Sequence, residues 1–126
     1  MTVKYNVVAR PNPQDREAPS HYYPSIQSSG RLTVRQLAQR MAEISTLSTI
    51  DTMAAIEAFL QVVPQELAEG NIVDLGDFGS FWLRTKTTGT ADQESVGRTQ
   101  ILDVKPLFRP GKEFKKVLNN AELTKE

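Results

Sequence analysis

The segment Gly70-Asn-Ile-Val-Asp-Leu-Gly-Asp-Phe-Gly-Ser-Phe81 narrows the fold of this chain more than any other. Gly70 suits the C′ position that ends a helix, because it lacks the Cβ that opposes a left-handed backbone. Ile72, Val73 and Leu75 then begin a strand. Gly76 and Gly79 suit a bulge or a close backbone approach. Phe78 and Phe81, on either side of Gly79, are the expected core anchors. Further on comes Phe108-Arg-Pro-Gly-Lys-Glu-Phe-Lys-Lys116, which reads as a strand end, a turn and a basic helix. Between the two, Phe81-Trp-Leu-Arg-Thr-Lys86 leads outward and Thr99-Gln-Ile-Leu-Asp-Val104 leads back. The polar residues 87–97 contain Gly89 and Gly97, so the whole stretch reads as a long hairpin.

Two helices are expected before it. Thr33-Val-Arg-Gln36 has the form of a capping box. Val34, Leu37, Ala38, Met41 and Ile44 follow at helical spacing. Ser45-Thr-Leu-Ser48 breaks that helix, and Ser48 can cap a second one with Asp51 in its first turn. Met53, Ile56, Leu60, Val63 and Leu67 form a narrow apolar seam, as a helix packed on another helix requires. Pro64 lies within this helix and should kink it or mark a restart.

The first residues follow a different pattern. Val3, Tyr5 and Val7 alternate with Lys4 and Asn6, as in a half-buried strand. Arg10-Pro-Asn-Pro-Gln-Asp-Arg-Glu-Ala-Pro19 is a loop, because its three prolines lack donors and hold φ near one value. His21-Tyr-Tyr-Pro-Ser-Ile26 reads as a second strand paired with the first. At the other end, Phe114, Val117 and Leu118 share one face of a short last helix.

Charge is segregated along the chain. The 15 basic and 15 acidic side chains cancel. Yet residues 1–40 carry six Lys/Arg and two acids, and residues 41–83 carry seven acids and no base. Residues 84–116 carry eight bases and four acids. The local field at a surface, and not the net charge, decides whether phosphate binds there. Cysteine is absent, which removes disulfides, thiolate metal sites and a Cys nucleophile, and suits a reducing cytoplasm. No run of about 18 apolar residues marks a membrane span, and the N-terminus lacks the apolar core of a secretory signal.

Residues 33–119 resemble the HU/IHF family of bacterial histone-like DNA-binding proteins. The resemblance rests on the split helices at Ser45-Thr-Leu-Ser48, Phe59, Gly70, the strand Gly-Asp-Phe-Gly-Ser-Phe81, and Phe108-Arg-Pro-Gly-Lys-Glu-Phe-Lys115. The opening Val3-Lys-Tyr-Asn-Val-Val-Ala-Arg-Pro-Asn-Pro13 with His-Tyr-Tyr23 is similar to the extension of a longer HU-like subfamily. The resemblance implies an α+β fold: a helical hairpin, an antiparallel β-saddle with a shortened arm, and a short C-terminal helix. A strand-loop-strand extension would occupy residues 1–32, the HU-like domain 33–119 and a tail 120–126. It also implies an intertwined homodimer bound to double-stranded DNA in the nucleoid. Met53, Ile56, Phe59, Leu60, Val63, Leu67, Phe78, Phe81 and Phe108 would form its core and dimer interface.

The arm departs from the family. The arm-tip signature with its intercalating proline is replaced by Thr87-Thr-Gly-Thr-Ala-Asp-Gln-Glu-Ser-Val-Gly97, and Asp92 and Glu94 fall near the tip. A proline wedge unstacks one base step and kinks the duplex, so weak bending or none is expected here. Phosphate would repel Asp92 and Glu94, but binding through the backbone is less affected by this change than the wedge is. Arg84 and Lys86 share a strand face. Arg98, Lys105 and Arg109 add to that surface from the returning strand. Pro110-Gly111 is expected to leave free N–H groups at a helix start, with Lys112, Lys115 and Lys116 following. These eight basic residues are the expected phosphate contacts, of low sequence specificity.

Other constellations carry less. His21 is the lone histidine, beside Tyr22 and Tyr23, and reads as structural. Asp74 and Asp77 flank Gly76, too few ligands for a cation site. Trp82 could stack on a base or cover a core edge. No nucleotide-binding or nucleophile motif is present, and neither an enzyme, a cofactor nor a small-molecule substrate is expected. The rival class is a dimeric interaction protein on the same scaffold that no longer binds DNA. Zero net charge, the acidic arm tip and the missing proline favour it.

Overall fold

In a computed structural model the described residues, 2–126, form six strands and three α-helices. In chain order these are β1 (Thr2–Arg10), β2 (His21–Gln27), α1 (Val34–Glu43), α2 (Thr49–Ala68), β3 (Val73–Asp74), β4 (Gly79–Thr87), β5 (Ile101–Pro110), α3 (Lys112–Asn119) and β6 (Glu122–Lys125). They divide into two compact units, residues 2–33 with Val117–Glu126, and Val34–Lys116.

The first unit is a three-stranded sheet in the order β2-β1-β6. β1 and β2 are antiparallel, with Tyr5 opposite Ile26 and Val7 opposite Pro24. β6 runs parallel to β1, from Thr2 opposite Glu122 to Tyr5 opposite Lys125. Residues 120–126, expected as a tail, thus contribute a strand. Between β1 and β2, Asn12 and Asp15 accept backbone N–H groups two residues on, which folds the proline loop as local turns.

The second unit starts with the helical hairpin. α1 ends at Glu43, and Ile44, expected on its apolar face, is exposed beyond it. Ser48 caps α2: its Oγ accepts the Asp51 N–H at 3.1 Å, and the Thr52 hydroxyl donates to the Ser48 carbonyl at 2.8 Å. α2 runs unbroken through Pro64. It stops as expected at Gly70, whose φ is +92°. There Gly70 N–H donates to Leu67 and Asn71 N–H to Glu66, the paired bonds that close a helix with glycine at C′.

The second sheet has the order β3-β4-β5 and is antiparallel throughout. β3 is only two residues long, because the chain turns at Gly76 into a single 3₁₀ turn. Gly79, at φ +146°, returns it to the sheet. A Cβ there would fall 2.5 Å from the Arg109 carbonyl oxygen and 2.6 Å from the Phe108 ring. Only glycine lets β4 meet β5 so closely at this end.

Four phenylalanines pack at the same end. Phe81 lies opposite Phe108 in the ladder, with ring centroids 4.8 Å apart. Phe114 of α3 meets Phe78 edge-on at 5.0 Å and Phe108 at 5.5 Å. Such pairs add roughly 0.5–1.5 kcal/mol beyond their area burial. The seam of α2 is less enclosed. Leu67 is buried, Met53, Ile56 and Val63 are half-buried, and Phe59 and Leu60 stay 44% and 49% exposed. Ala38 of α1 and Thr52 of α2 are the other fully buried side chains apart from glycine among the described residues.

Candidate nucleic-acid interface

The β4–β5 hairpin sorts its side chains by chemistry. Residues directly opposite in an antiparallel ladder share a face, and alternate pairs switch faces. One face carries the pairs Phe81–Phe108, Leu83–Pro106 and Thr85–Val104. The other carries Ser80–Arg109, Trp82–Leu107, Arg84–Lys105 and Lys86–Asp103. Four of the eight expected phosphate contacts, Arg84, Lys86, Lys105 and Arg109, are therefore brought to one surface. Asp103 is the acid among them, and its Oδ1 accepts the Val104 N–H at 2.9 Å.

Arg98 is not on this surface. β5 begins only at Ile101, and residue 98 belongs to a 3₁₀ turn in the connection. Its Nη1 donates to the Ile101 carbonyl at 3.0 Å, so the guanidinium is engaged by its own backbone. A register shift between Lys86 and Thr87 ends the regular ladder there. The connection is shaped by Asp92, whose Oδ1 accepts the Glu94 N–H at 3.0 Å and whose Oδ2 accepts the Ser95 hydroxyl at 3.3 Å. The acid near the tip thus has a local structural task.

α3 supplies the remaining cations. Phe114 faces the phenylalanine cluster, and Lys112 and Lys116, two residues to either side, project from the opposite side of the helix. The free N–H groups expected at this helix start are those of the first turn, Lys112, Glu113 and Phe114, which have no intrahelical acceptor, and not those of Pro110 and Gly111. Proline has none, and Gly111 N–H donates to the Phe78 carbonyl at 2.8 Å. The first helical bond runs from Lys115 N–H to the Gly111 carbonyl.

Trp82 is not one of the eight basic residues expected at phosphates. It is half-buried on the cationic face, between the Ser80–Arg109 and Arg84–Lys105 pairs. The signal was available, since Trp82, Arg84 and Lys86 share strand parity.

Elsewhere, Asp74 Oδ1 accepts the Gly76 N–H at 2.9 Å, which assigns it to the turn. His21 lies beside Tyr23, with ring centroids 6.4 Å apart. Among the described residues no three His, Cys, Asp or Glu side chains are grouped to hold a metal ion, and no helix is long and apolar enough to cross a membrane.

A helical hairpin followed by a β-arm, with cations on one face and a phenylalanine cluster on the other, defines a class of small α+β nucleic-acid-binding scaffold. The sequence comparisons narrow it. A family model described as an HU domain fused to wHTH, Ig, or glycine-rich motif matches residues 1–125, and the chain belongs to that family. Integration host factor subunit beta of Marinobacter nauticus is 30% identical over 93 residues, 71% of this chain and 95% of its own length. The same subunit of Azotobacter vinelandii is 33% identical over 91 residues, 70% of this chain and 99% of its own length. A crystal structure from Bacteroides vulgatus, described as a candidate bacterial DNA-binding protein, matches with a TM-score of 0.66 at 14% identity. The match covers 98% of this chain and spans 47% of that longer one, and it supports the fold.

Proposed function

We propose that this protein is a non-enzymatic, histone-like architectural protein that binds double-stranded DNA as a homodimer in the bacterial nucleoid. The observation that carries the reading is the division of the β4–β5 hairpin into a cationic face and a phenylalanine face. One face can meet phosphates while the other is held by a core. Arg84, Lys86, Lys105 and Arg109 would contact phosphate from the arm, and Lys112, Lys115 and Lys116 from α3. Arg98 contributes less, because its guanidinium is already bonded. Membership of the HU family and the likeness to integration host factor subunits support the same reading.

The dimer is supported by what the single chain leaves open. Phe59 and Leu60 on α2 and Phe78 and Phe108 in the cluster are exposed. A second chain would cover these groups. Contacts to phosphates carry little sequence information, so specificity is low. With no proline between Pro64 and Pro106 the wedge is lost, and bending is weak.

The test is fluorescence anisotropy of a labelled duplex of a few dozen base pairs, titrated with salt. Micromolar or tighter binding at low salt is expected, with log K falling steeply against log salt at about 0.9 per phosphate contacted. A folded dimer that fails to bind at low salt would overturn the reading. It would favour an interaction protein, for which the apolar side chains on the β2-β1-β6 sheet, Tyr22 at 72% and Ile26 at 70% exposed, would offer a surface.

A further inference from the structure

We infer that Trp82, with Leu107 opposite it, is a DNA contact of its own, an apolar pad that seats on the deoxyribose rims of the minor groove. The inference rests on the duplex-binding reading and deepens it. Its ground is the ladder register. Trp82 and Leu107 are the adjacent pair between Ser80–Arg109 and Arg84–Lys105, on the same face as both. The opposite face already supplies the hydrophobic contacts of the hairpin, through Phe81, Leu83, Val104, Pro106 and Phe108. Trp82 is turned away from them and toward the cations.

The spacing suits a groove. The Arg109 and Arg84–Lys105 rows lie four residues apart along β4, roughly 13 Å at the rise of a strand. Cations that far apart bracket a groove better than they track adjacent phosphates of one strand. The minor groove is about 6 Å wide between its walls, and those walls are sugar. An indole with a leucine beside it matches that surface, and it needs no backbone kink of the kind a wedge produces. The pad also predicts discrimination. In an A-form RNA duplex the minor groove is wide and lined with 2′-hydroxyls, which an apolar pad would desolvate without partners.

Trp82 is the one tryptophan in the chain, so it reports on itself. The experiment follows its emission and the anisotropy of a labelled DNA duplex in the same titration, using the whole protein. A change in emission that saturates with the anisotropy is expected. Replacing Trp82 with Ser should weaken DNA binding about tenfold, as loss of one aromatic contact does. The salt slope should not change, because no counterion-releasing group is removed. Trp82→Phe should retain most of the affinity. The wild type should prefer DNA over an RNA duplex of the same sequence, and Trp82→Ser should narrow that preference. DNA binding without an emission change, or an unaltered affinity in a folded Trp82→Ser dimer, overturns the pad and leaves phosphate binding standing. Absence of duplex binding in the wild type overturns both.

Discussion

The backbone N–H of Gly111 donates to the carbonyl of Phe78 across 2.8 Å, tying the start of α3 to the turn before β4. This bond brings Phe114 against Phe78 and Phe108. It also leaves no room for a side chain at residue 111. A Cβ there would strike the Asp77 carbonyl and come within 3.0 Å of the Gly79 nitrogen. Both neighbours are backbone and cannot swing aside. Gly111→Ala should therefore destabilise the protein by about 1–3 kcal/mol, as overpacking of a fixed site does. Urea denaturation followed by far-UV circular dichroism measures this. An unchanged midpoint would mean that the turn yields easily.

Ser48 offers a milder perturbation. Its Oγ satisfies the Asp51 N–H at the start of α2. Ser48→Ala should cost about 1 kcal/mol, visible as a lower thermal midpoint, while Ser48→Asp should be close to neutral. Equal midpoints for Ala and wild type would show that water replaces the cap without loss.

Leu60 tests the shared core. It lies on the seam of α2 and is half-exposed in the single chain. On a free surface Leu60→Asp would change stability by no more than about 0.5 kcal/mol. In a buried dimer seam it forces a charge out of water without a partner. Sedimentation equilibrium should find the dimer lost, together with most of the helical signal. A stable, folded monomer would reject the intertwined arrangement.

Lys112 and Lys116 test the helix as a phosphate surface. Each, changed to Ala, should weaken duplex binding alike across sequences and lower the salt slope by about 1. Because both point away from Phe114, stability should hardly move. A slope that does not change would show that α3 stays clear of the DNA.

The acids near the arm tip work in the other direction. Asp92→Asn keeps an oxygen for the Glu94 N–H and removes a charge. Combined with Glu94→Gln, it should tighten duplex binding at low salt by about threefold, and the gain should fade as salt screens it. Weaker binding would indicate that the arm's shape matters more than its charge.

Much of this architecture was legible because it is locally encoded. Ser48 caps and Gly70 terminates through contacts within a few residues, and the alternation in β4 follows from strand geometry. Those features needed no knowledge of distant neighbours. The eight bases of residues 84–116 were equally visible, but their grouping was not. Arg84 and Lys105 become one patch only through the register of β4 with β5, and Arg98 drops out because the ladder breaks after Lys86. The helix start that Pro110-Gly111 announces was legible too, but not that the Phe78 carbonyl takes the Gly111 amide.

The sequence by itself determined the cap and stop of α2, the glycine bend and the hairpin, since each follows from the preferences of adjacent residues. Only the tertiary structure decided that residues 122–125 pair with β1, near the other end of the chain, and that Lys105 and Arg109 join Arg84 and Trp82 on one face. Strand pairing joins residues far apart in sequence through backbone groups that every residue carries. A short polar strand therefore announces its partner in no local pattern, and a residue's company is settled by register.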